Sequence, residues 1–591
     1  HGLTRRAFLE LRPMVGLRDF HGLVSRAEQK TAYGAILGDR SMKVAAHGHT
    51  LSIECDGPTA KIVDQPEWWN DFSYHLEADR GQPDREDLWS PGYFMLEAGE
   101  DSKASREGIV LTAWMGEARP SVGMDDAVAR ERARVGVFAA AAVARATEGD
   151  AAAAKSADAE RELAAIGALA IAADQFIVRR ELGKEAAAKK AGKGEATVMS
   201  SVIAGYPWFS DWGRDTAISL PGLLIATGRY TEARDSLRAF AAYRRNGLVP
   251  NCFDNGEGTP EYNTVDASLW FIHAACQYLR ATGDHDGFCG DIRAACIDIV
   301  DAYRRGTDFG IGADPADGLI RAGDEGTQLT WMDAKRDGVV FTPRHGKPVE
   351  ISALWYSALL ELAGVLHDEQ PILAGELRTV AHRVGESFVK RFWNAERGCL
   401  FDVLTPRKAG GGGAAGGSVS FGPVADIRPN QVFAVSVPHS PLSQQQREAV
   451  LKVAKEKLWT PVGMRTLAAD DPKYKPRFEG PLFERDGAYH NGTVWPWLIG
   501  AYAEGVLRVG GFSKEAIDEA DRATAPLVRV FMDGEMSRSI DQLAEVYDAE
   551  EPRRPDGCMA QAWSIAELLR ARLMIRRAKV WLTTGEGRPD L

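Results

Sequence analysis

The chain has 591 residues, of which 71 are Lys or Arg and 83 are Asp or Glu, so its net charge is −12. Apolar residues make up 45% of the sequence, which excludes a disordered chain. A nucleic-acid-binding protein needs clustered Lys and Arg to meet the phosphates, and this acidic sequence has no such cluster. Its longest apolar run, residues 163–173, is shorter than the about 20 residues that a bilayer-spanning helix needs. We therefore expect neither a nucleic-acid partner nor a membrane partner.

The seven cysteines predict the compartment. Their number is odd and no two are spaced as C-x-x-C, which argues against a disulfide framework and against a zinc site. Reduced thiols are typical of the cytoplasm, so we expect a cytoplasmic protein. The twelve histidines are scattered without the spacing of metal ligands, and the sequence contains no phosphate-binding, serine-hydrolase or zinc-protease motif. The sequence therefore predicts no metal and no cofactor.

Residues 1–118 are predicted to form a smaller, β-rich domain. Short runs such as YGAILGDRSMKVAAHG, HTLSIECDG and YFMLEAGE are separated by Gly, Asp and Pro, as in strands joined by turns. Several short strands at this spacing are typical of a β-sandwich. Because the pattern begins abruptly at His1, we expect the front part of this domain to be missing from the chain.

Residues 119–591 are predicted to form a mainly α domain of about twelve helices. Successive helices without intervening strands exclude a doubly wound sheet, and the lack of a fixed-period repeat argues against a solenoid. A closed double ring of six inner and six outer helices, an (α/α)6 barrel, fits this number. Two segments of low complexity, 183–194 and 408–417, are predicted to be surface loops. The predicted helices cover residues 124–146, 158–180, 214–227, 231–245, 264–282, 290–305, 350–366, 370–391, 444–457, 492–508, 514–531 and 557–576.

The segment that leads into the third predicted helix concentrates aromatic and charged residues, among them Trp212, Arg214 and Asp215. An Arg next to an Asp can bind neighbouring sugar hydroxyls, because the guanidinium donates hydrogen bonds in a plane and the carboxylate accepts them. The alternative is structural: Asp215 or Asp211 caps the helix and the indole is buried in the core. Taken as a whole, the cluster favours a binding site.

The stretch GDEGTQLTWMDAK, residues 323–335, contains a candidate general acid. Trp331 lies two residues before Asp333, and a carboxyl group packed against an indole loses water, which raises its pKa. Such a carboxyl group stays protonated and can donate its proton to a substrate. For Asp333 taken alone, capping of a helix is an equally good interpretation.

A second carboxylate and two further loops complete the candidate site. Glu545 lies in a short apolar context, although the same pattern fits an exposed residue on a short helix. PEYNTVDASLWF contains Asn263 and Asp266, and YHNGTVWPW contains His490 and Trp495. Polar groups mixed with aromatic rings suit a sugar site, and they also occur where a buried helix begins. Paired carboxylates amid aromatic residues are the groups that glycoside hydrolysis uses.

Six segments of mixed aromatic and polar residues follow one another along the chain. They are GYPWFSDWGRDTAISLPGLLIATGRY, GLVPNCFDNGEGTPEYNTVDASLWF, LTWMDAK, GKPVEISALWY, YHNGTVWPW and GCMAQAWS. Together they resemble the amylo-α-1,6-glucosidase domain of the glycogen debranching enzyme family, over residues 125–575. EWWNDFSYHLEADRGQPDREDLWSPGYF resembles the end of the family's N-terminal β-domain, which is longer in the family.

The resemblance implies an inverting glycoside hydrolase in an (α/α)6 barrel, with glycogen, limit dextrin or branched malto-oligosaccharides as its partners. It implies that α-1,6-linked glucose is hydrolysed at branch points without a metal or a cofactor. Asp333 would be the general acid and Glu545 the general base, while Arg214 and Asp215 would hold the non-reducing glucose. The other residues expected to bind substrate are Trp212, Asn263, Asp266, Trp331, Lys347, Glu350, His490 and Trp495.

Two other functions stay open at this point. The same barrel is used by glucoamylases, trehalases and glucosylglycerate-type hydrolases, which would cleave a different α-glucoside. An inactive glycogen-binding protein is the second alternative. The presence of both Asp333 and Glu545 argues against it, because a protein that had lost activity would be expected to lack one of them.

Overall fold

A computed structural model shows how the chain folds, and it divides the chain into two compact units. These are residues 1–134 with 480–482, and residues 135–479 with 483–591. The two predicted surface loops, 183–194 and 408–417, lie outside the residues that the structure describes. The described residues are 7–18, 22–27, 32–79, 81–98, 109–116, 118–119, 121, 123–149, 156–181, 198–253, 259–407, 420–534 and 541–586.

The first unit is built of antiparallel strands in two sheets. Its elements are β1 (Ala7–Leu11), β2 (Gly34–Leu37), β3 (Ser41–Ala46), β4 (His49–Cys55), β5 (Lys61–Ser73), α1 (His75–Asp79), β6 (Arg85–Ala98) and β7 (Leu111–Met115). One sheet has the order β2-β3-β4-β7 and the other the order β1-β6-β5. These strands lie in the region that the sequence predicts to be β-rich, and the domain boundary at 118/119 stays a prediction.

Alternation along the strands builds the core of this unit. Successive residues of β3 are exposed and buried in turn, so that Met42 points inward. Met42 lies opposite Ile53 in the ladder of β3 and β4. Phe94 and Leu96 of β6 belong to the same apolar cluster. Because these side chains come from both sheets, the core lies between the two sheets.

From residue 123 onward the chain is mainly helical, and no helix in the described ranges is long and apolar enough to cross a membrane. A π-helical turn, Pro221–Ile225, continues α4. The helices are α2 (Met124–Ala146), α3 (Ala157–Asp174), α4 (Gly213–Leu220), α5 (Tyr230–Tyr243), α6 (Ala267–Thr282), α7 (His285–Phe288), α8 (Asp291–Arg305), α9 (Val349–Val365), α10 (Pro371–Phe392), α11 (Phe433–Ser436), α12 (Gln444–Lys457), α13 (Leu482–Tyr489), α14 (Leu498–Val509), α15 (Lys514–Asp533) and α16 (Ala562–Thr584).

Six of the described helices pack side by side in a closed ring. In this ring α4 contacts α6, α6 contacts α9, α9 contacts α11, α11 contacts α14, α14 contacts α16, and α16 returns to α4. Other helices cover the ring from outside: α10 packs on α9, α15 on α14 and α16, and α3 on α16. The arrangement is a mainly α-helical barrel, as the sequence predicts.

The ring closes through a very tight contact. A Cβ atom on Gly222 would lie 2.0 Å from the carbonyl oxygen of Ala566 in α16. No larger residue than glycine therefore fits where the π-helical turn passes α16. The apolar faces of the ring helices meet in one continuous core that includes Leu223, Trp355 and Leu569.

Several helix predictions differ from the structure. The helix predicted over 158–180 ends at Asp174, because residues 177–181 pair as a strand with residues 198–202. α14 begins at Leu498 rather than at 492, because residues 494–495 form a strand that pairs with residues 464–465 and with residue 547. α16 begins at Ala562 rather than at 557, because residues 555–556 and 560–561 also pair as strands. The ring helix α11 is missing from the predicted set, because one turn is too short to show helical periodicity.

Short strands lie in the connections between helices, and two of the candidate site residues, Lys347 and Trp495, belong to them. The remaining strands are β8 (Ile177–Glu181), β9 (Val198–Val202), β10 (Gly205–Tyr206), β11 (Cys252–Phe253), β12 (Pro260–Glu261), β13 (Gly312–Ala313), β14 (Ile320–Arg321), β15 (Lys335–Arg336), β16 (Val339–Val340), β17 (Lys347–Pro348), β18 (Trp393–Asn394), β19 (Cys399–Leu400), β20 (Val403–Pro406), β21 (Phe421–Val424), β22 (Trp459–Thr460), β23 (Gly463–Arg465), β24 (Val494–Trp495), β25 (Val546–Tyr547), β26 (Pro555–Asp556) and β27 (Ala560–Gln561).

Candidate active site

The start of α4 holds the first group of candidate residues. The backbone N–H of Gly213 donates to the carbonyl oxygen of Asn251 at 2.7 Å, directly after Trp212. A Cβ on Gly213 would lie 2.0 Å from the carbonyl oxygen of Pro250, so glycine permits this close approach. The side chain of Asn251 donates to Oδ1 of Asn263 at 3.3 Å. The loop of Asn263 is thereby held against the start of α4.

Arg214 joins two carboxylates at this point. Its Nε donates to Oδ1 of Asp266 at 2.8 Å, and its Nη1 donates to Oδ2 of Asp333 at 2.8 Å. The hydroxyl of Thr264 donates to the same Oδ1 of Asp266 at 2.7 Å. Arg214 and Asp266 are buried, whereas 28% of the Asp333 side chain is exposed. One oxygen of the candidate acid Asp333 is therefore bonded to a buried guanidinium, while part of its side chain is exposed to solvent.

The pKa of Asp333 is raised above its ordinary value. Burial of the carboxyl group is the largest cause, because it disfavours the charged form. The charge of Asp266 raises this pKa as well, whereas the charge and the hydrogen bond of Arg214 lower it. The setting is that of a carboxyl group whose protonated form is favoured despite a neighbouring cation.

Asp215 follows Arg214 in the first turn of α4 and is buried. Burial raises its pKa well above the ordinary value, and the charge of Arg214 opposes this. The charges of Asp333 and Glu545 raise the pKa of Asp215 further. Both candidate catalytic carboxylates therefore lie close enough to act on Asp215, although they are far apart in the sequence.

Glu545 is held at both of its carboxylate oxygens. The hydroxyl of Tyr489 donates to Oε1, and the backbone N–H of Cys558 donates to Oε2 at 2.9 Å. Glu545 is buried, and its own backbone N–H donates to the carbonyl oxygen of Cys558 at 2.9 Å. Burial raises the pKa of Tyr489 well above its ordinary value, with the charges of Glu545 and Asp333 acting in the same direction. Tyr489 is therefore a neutral donor to Glu545, and it lies within electrostatic reach of Asp333.

Aromatic rings surround these groups. The ring of Trp331 lies edge-on to those of Trp495 and Trp497, with centroid distances of 5.4 Å and 5.2 Å. Trp495 in turn lies edge-on to Tyr489 at 4.9 Å, and Trp563 stacks on Trp497 at 4.9 Å. The aromatic residues thus connect the loop of Asp333 with Tyr489, the last residue of α13.

His490 lies inside this aromatic cluster and is fully buried. Its ring stacks on Trp495 at 5.2 Å and lies edge-on to Trp331 at 5.4 Å. Burial lowers the pKa of His490 well below its ordinary value, so the ring is neutral. Its two ring nitrogens have no hydrogen-bond partner among the described residues. Among all the residues that the structure describes, no group of His, Cys, Asp and Glu is placed to hold a metal ion.

The expected substrate-binding residue Glu350 lies in a second buried ion cluster. Arg344 donates to both carboxylate oxygens of Glu350 and to Oδ2 of Asp402 at 2.9 Å. Asn430 donates to Oδ1 of Asp402 at 2.7 Å and accepts from the indole nitrogen of Trp331 at 2.7 Å. Glu350 is therefore connected to the loop of the acid through a chain of hydrogen bonds.

Lys347 also has partners of its own. Its Nζ contacts Asp314 at 2.7 Å and Asp317 at 2.8 Å, and it lies 4.3 Å from the centroid of the Phe421 ring. The side chain is buried. Both Lys347 and Glu350 are thus engaged by other side chains of the protein. Their expected contacts with sugar stay predictions.

Sequence reasoning missed several residues of this site. Tyr489, the partner of Glu545, stands next to His490 in the YHNGTVWPW segment, so the signal was present but assigned to its neighbours. Thr264 was passed over because a single Thr carries no motif. Arg344 and Asp402 lie 58 residues apart in the chain, and no spacing rule connects them.

Two family models and a curated relative match the chain. The family model described as amylo-alpha-1,6-glucosidase matches residues 171–570, and the model described as glycogen debranching enzyme N terminal matches residues 2–104. The glycogen debranching enzyme of Saccharomyces cerevisiae is 28% identical over 383 residues. That match covers 51% of this chain and 25% of the yeast protein.

A solved structure is similar in fold. A bacterial glucoamylase in complex with acarbose superposes with a TM-score of 0.52 at 11% identity. The superposition covers 92% of this chain and 74% of the glucoamylase. This likeness shows the fold, a barrel of the glucoamylase type.

Proposed function

The chain belongs to the amylo-α-1,6-glucosidase family of glycogen debranching enzymes, and we propose that it hydrolyses α-1,6-linked glucose at branch points of glycogen or limit dextrin, with inversion. One observation carries this proposal. Asp333 pairs with Arg214 and keeps 28% of its side chain exposed, whereas Glu545 is buried and accepts hydrogen bonds at both carboxylate oxygens, and the charges of both raise the pKa of Asp215. Two carboxylates in unlike settings are what glycoside hydrolysis needs.

Asp333 is the proposed general acid. Burial raises its pKa, which supports a protonated carboxyl group that donates its proton to the glycosidic oxygen. Arg214 keeps the carboxyl group in place through Oδ2. After the proton has left, the same guanidinium is adjacent to the new carboxylate and stabilises its charge.

Glu545 is the proposed general base. The Tyr489 hydroxyl and the Cys558 N–H each donate to one of its oxygens, and such donors favour the ionised carboxylate. An ionised Glu545 can take a proton from a water molecule on the face of the sugar opposite to the acid. Attack by that water gives glucose of inverted anomeric configuration.

The non-reducing glucose is held, in this proposal, by Arg214 and Asp215 at the start of α4. A guanidinium has five N–H donors. Asp266, Asp333 and Thr264 each accept from one nitrogen of Arg214, and the remaining N–H groups are the proposed donors to sugar hydroxyls. Trp212, Trp331 and the other expected binding residues would contact the sugar ring or support those that do: Asn263, Asp266, Lys347, Glu350, His490 and Trp495.

The test is a product assay on phosphorylase limit dextrin, with the anomer of the released glucose followed by NMR. We expect free glucose that is initially β, because the bond broken is α and the mechanism inverts. Maltose, trehalose and glucosylglycerate serve as comparison substrates. Release of glucose from trehalose or maltose but not from limit dextrin would favour the glucoamylase or trehalase type of activity. Glycogen binding without glucose release would favour an inactive binding protein.

The remaining expectations are proposals of the same kind. We propose six outer helices around the observed inner ring, completing an (α/α)6 barrel over residues 119–591, and a β-sandwich over residues 1–118. We also propose a cytoplasmic location, because the odd number of cysteines and the lack of a C-x-x-C spacing argue against a disulfide framework.

A further inference from the structure

A cavity of about 430 Å³ lies between the outer helices α3 and α15 and the ring helix α16. None of these helices supplies Asp333 or Glu545, so the cavity is separate from the candidate active site. We propose that it binds a small anion that carries a phosphate group. The proposal does not depend on the function proposed above.

The charge of the lining carries the argument. The cavity has five cationic side chains, Arg161, Arg529, Arg572, Arg576 and Lys579, in a chain whose net charge is −12. Three carboxylates line the same cavity, those of Asp158, Glu162 and Asp521. The excess of cations makes this a positively charged cavity on an acidic protein, and it attracts small anions.

Three of the cations come from one face of α16. Arg572, Arg576 and Lys579 are spaced i, i+4 and i+7, so their side chains project on the same side of the helix. Arg572 and Arg576 are buried although they are charged. Buried charges of one sign need compensation, and the two nearest carboxylates are shared among all three cations.

The sharing is visible in the distances. Glu162 of α3 lies 2.7 Å from Arg572, 3.2 Å from Lys579 and 3.7 Å from Arg576. Asp521 of α15 lies 2.5 Å from Arg572 and 2.8 Å from Lys579. Glu162 and Asp521 thus orient these three cations. A site whose cations are already held in place loses little side-chain entropy when an anion binds.

Phosphate is the anion that fits these donors best. Arginine presents parallel N–H groups that match two phosphate oxygens, and lysine adds a point charge. The volume lies within the range of about 300–1,000 Å³ that is usual for small-molecule sites, so a group attached to the phosphate also has room. The carboxylate of Asp158 and the hydroxyl of Ser156, on the same lining, could bind hydroxyls of such a group.

The experiment titrates the full chain with inorganic phosphate and, separately, with glucose 6-phosphate by isothermal calorimetry. Chloride at matched ionic strength serves as the control for general screening. We expect saturable binding of at least one phosphate compound and a higher melting temperature in its presence, since a ligand that binds only the folded chain stabilises it. Tighter binding of glucose 6-phosphate assigns part of the recognition to the sugar, and equal binding assigns all of it to phosphate.

Two variants on α15 locate the site. Arg529→Gln removes an exposed cation of the cavity rim without breaking the buried pairs, and we expect affinity to fall about tenfold, as for loss of a charge-assisted contact. Arg522→Gln is the matched control, because Arg522 is an exposed arginine of the same helix that does not line the cavity. Its affinity should match that of the parent protein. The proposal is wrong if neither phosphate compound binds saturably, or if the two variants weaken binding equally.

Discussion

Two arginines in the barrel, each set between carboxylates, have opposite surroundings. Arg344 lies between Glu350 and Asp402, and the side chains of all three are 2–3% exposed. Arg214 is equally buried at 3%, but its partner Asp333 keeps 28% of its side chain exposed. The first cluster, which we call closed, is buried throughout. The second, which we call open, reaches solvent at Asp333.

The pKa values of Asp402 and Asp333 are shifted in opposite directions. Burial would raise the pKa of Asp402, but Arg344 and Arg428 act against it and the pKa is lowered. In the open cluster burial also raises the pKa of Asp333, and there Arg214 does not reverse it. Two arginines thus shift the pKa of Asp402 downward, whereas the pKa of Asp333, beside Arg214, and that of Glu350, beside Arg344, are raised by burial. The same residue types therefore serve stability in one place and, in our proposal, chemistry in the other.

Asp333→Asn gives the largest expected effect. We expect kcat on limit dextrin to fall by about 10³-fold, because the acid is lost, while binding of the sugar persists. Stability should change little, since the side chain is partly exposed and the amide oxygen can still accept from Arg214. The measurement is glucose release together with urea-induced unfolding.

Asp402→Asn is its counterpart in the closed cluster. There we expect a loss of stability and an almost unchanged kcat for each folded molecule. Near-normal turnover by Asp333→Asn would show that Asp333 is not the general acid. The two clusters would then not differ in their role in catalysis.

Glu350→Gln tests the closed cluster from its other end. Removing one partner of a buried ion pair is expected to lower the free energy of unfolding by about 3 kcal/mol. If Glu350 acts only through Arg344, then kcat and KM stay within about twofold of the parent values. Urea unfolding and steady-state kinetics separate the two possibilities. A raised KM with unchanged stability would instead support a direct contact with sugar.

Tyr489→Phe extends the comparison to the base. The loss of a hydrogen bond to a charged carboxylate is expected to lower kcat by about tenfold or somewhat more. Tyr547→Phe is the matched control, because the buried hydroxyl of Tyr547 has no partner among the described residues. Its removal should leave kcat unchanged. Equal kinetics for both variants would mean that Tyr489 does not position Glu545.

A pair of variants should move the pH profile in opposite directions, by about one pH unit or less. Asp266 raises the pKa of Asp333, so in Asp266→Asn the acid ionises at lower pH and the alkaline limb of the kcat/KM profile shifts to lower pH. Arg214 lowers the pKa of Asp333, so in Arg214→Gln the alkaline limb shifts to higher pH. The measurement is kcat/KM as a function of pH for the three proteins. A purely structural role for both residues would reduce activity without separating the limbs.

Much of the fold could be predicted from the sequence because it depends on local patterns. α12 was predicted to the residue, at 444–457, since its apolar positions recur with helical period and Ser443 caps it. The starts of α14 and α16 were not, because the residues before them pair with strands that are distant in the chain. No local pattern reveals such a partner.

The sequence by itself determined which residues were candidates: Asp333 after an indole, Glu545 in an apolar context, and Arg214 beside Asp215. Only the tertiary structure decided how they are used. It paired Arg214 with Asp333 across 119 residues and Tyr489 with Glu545 across 56. It also committed Lys347 and Glu350 to ion pairs inside the protein. The physical reason is that the pKa and hydrogen bonding of a carboxyl group depend on its neighbours in space and on its burial, and the closed helical ring sets both.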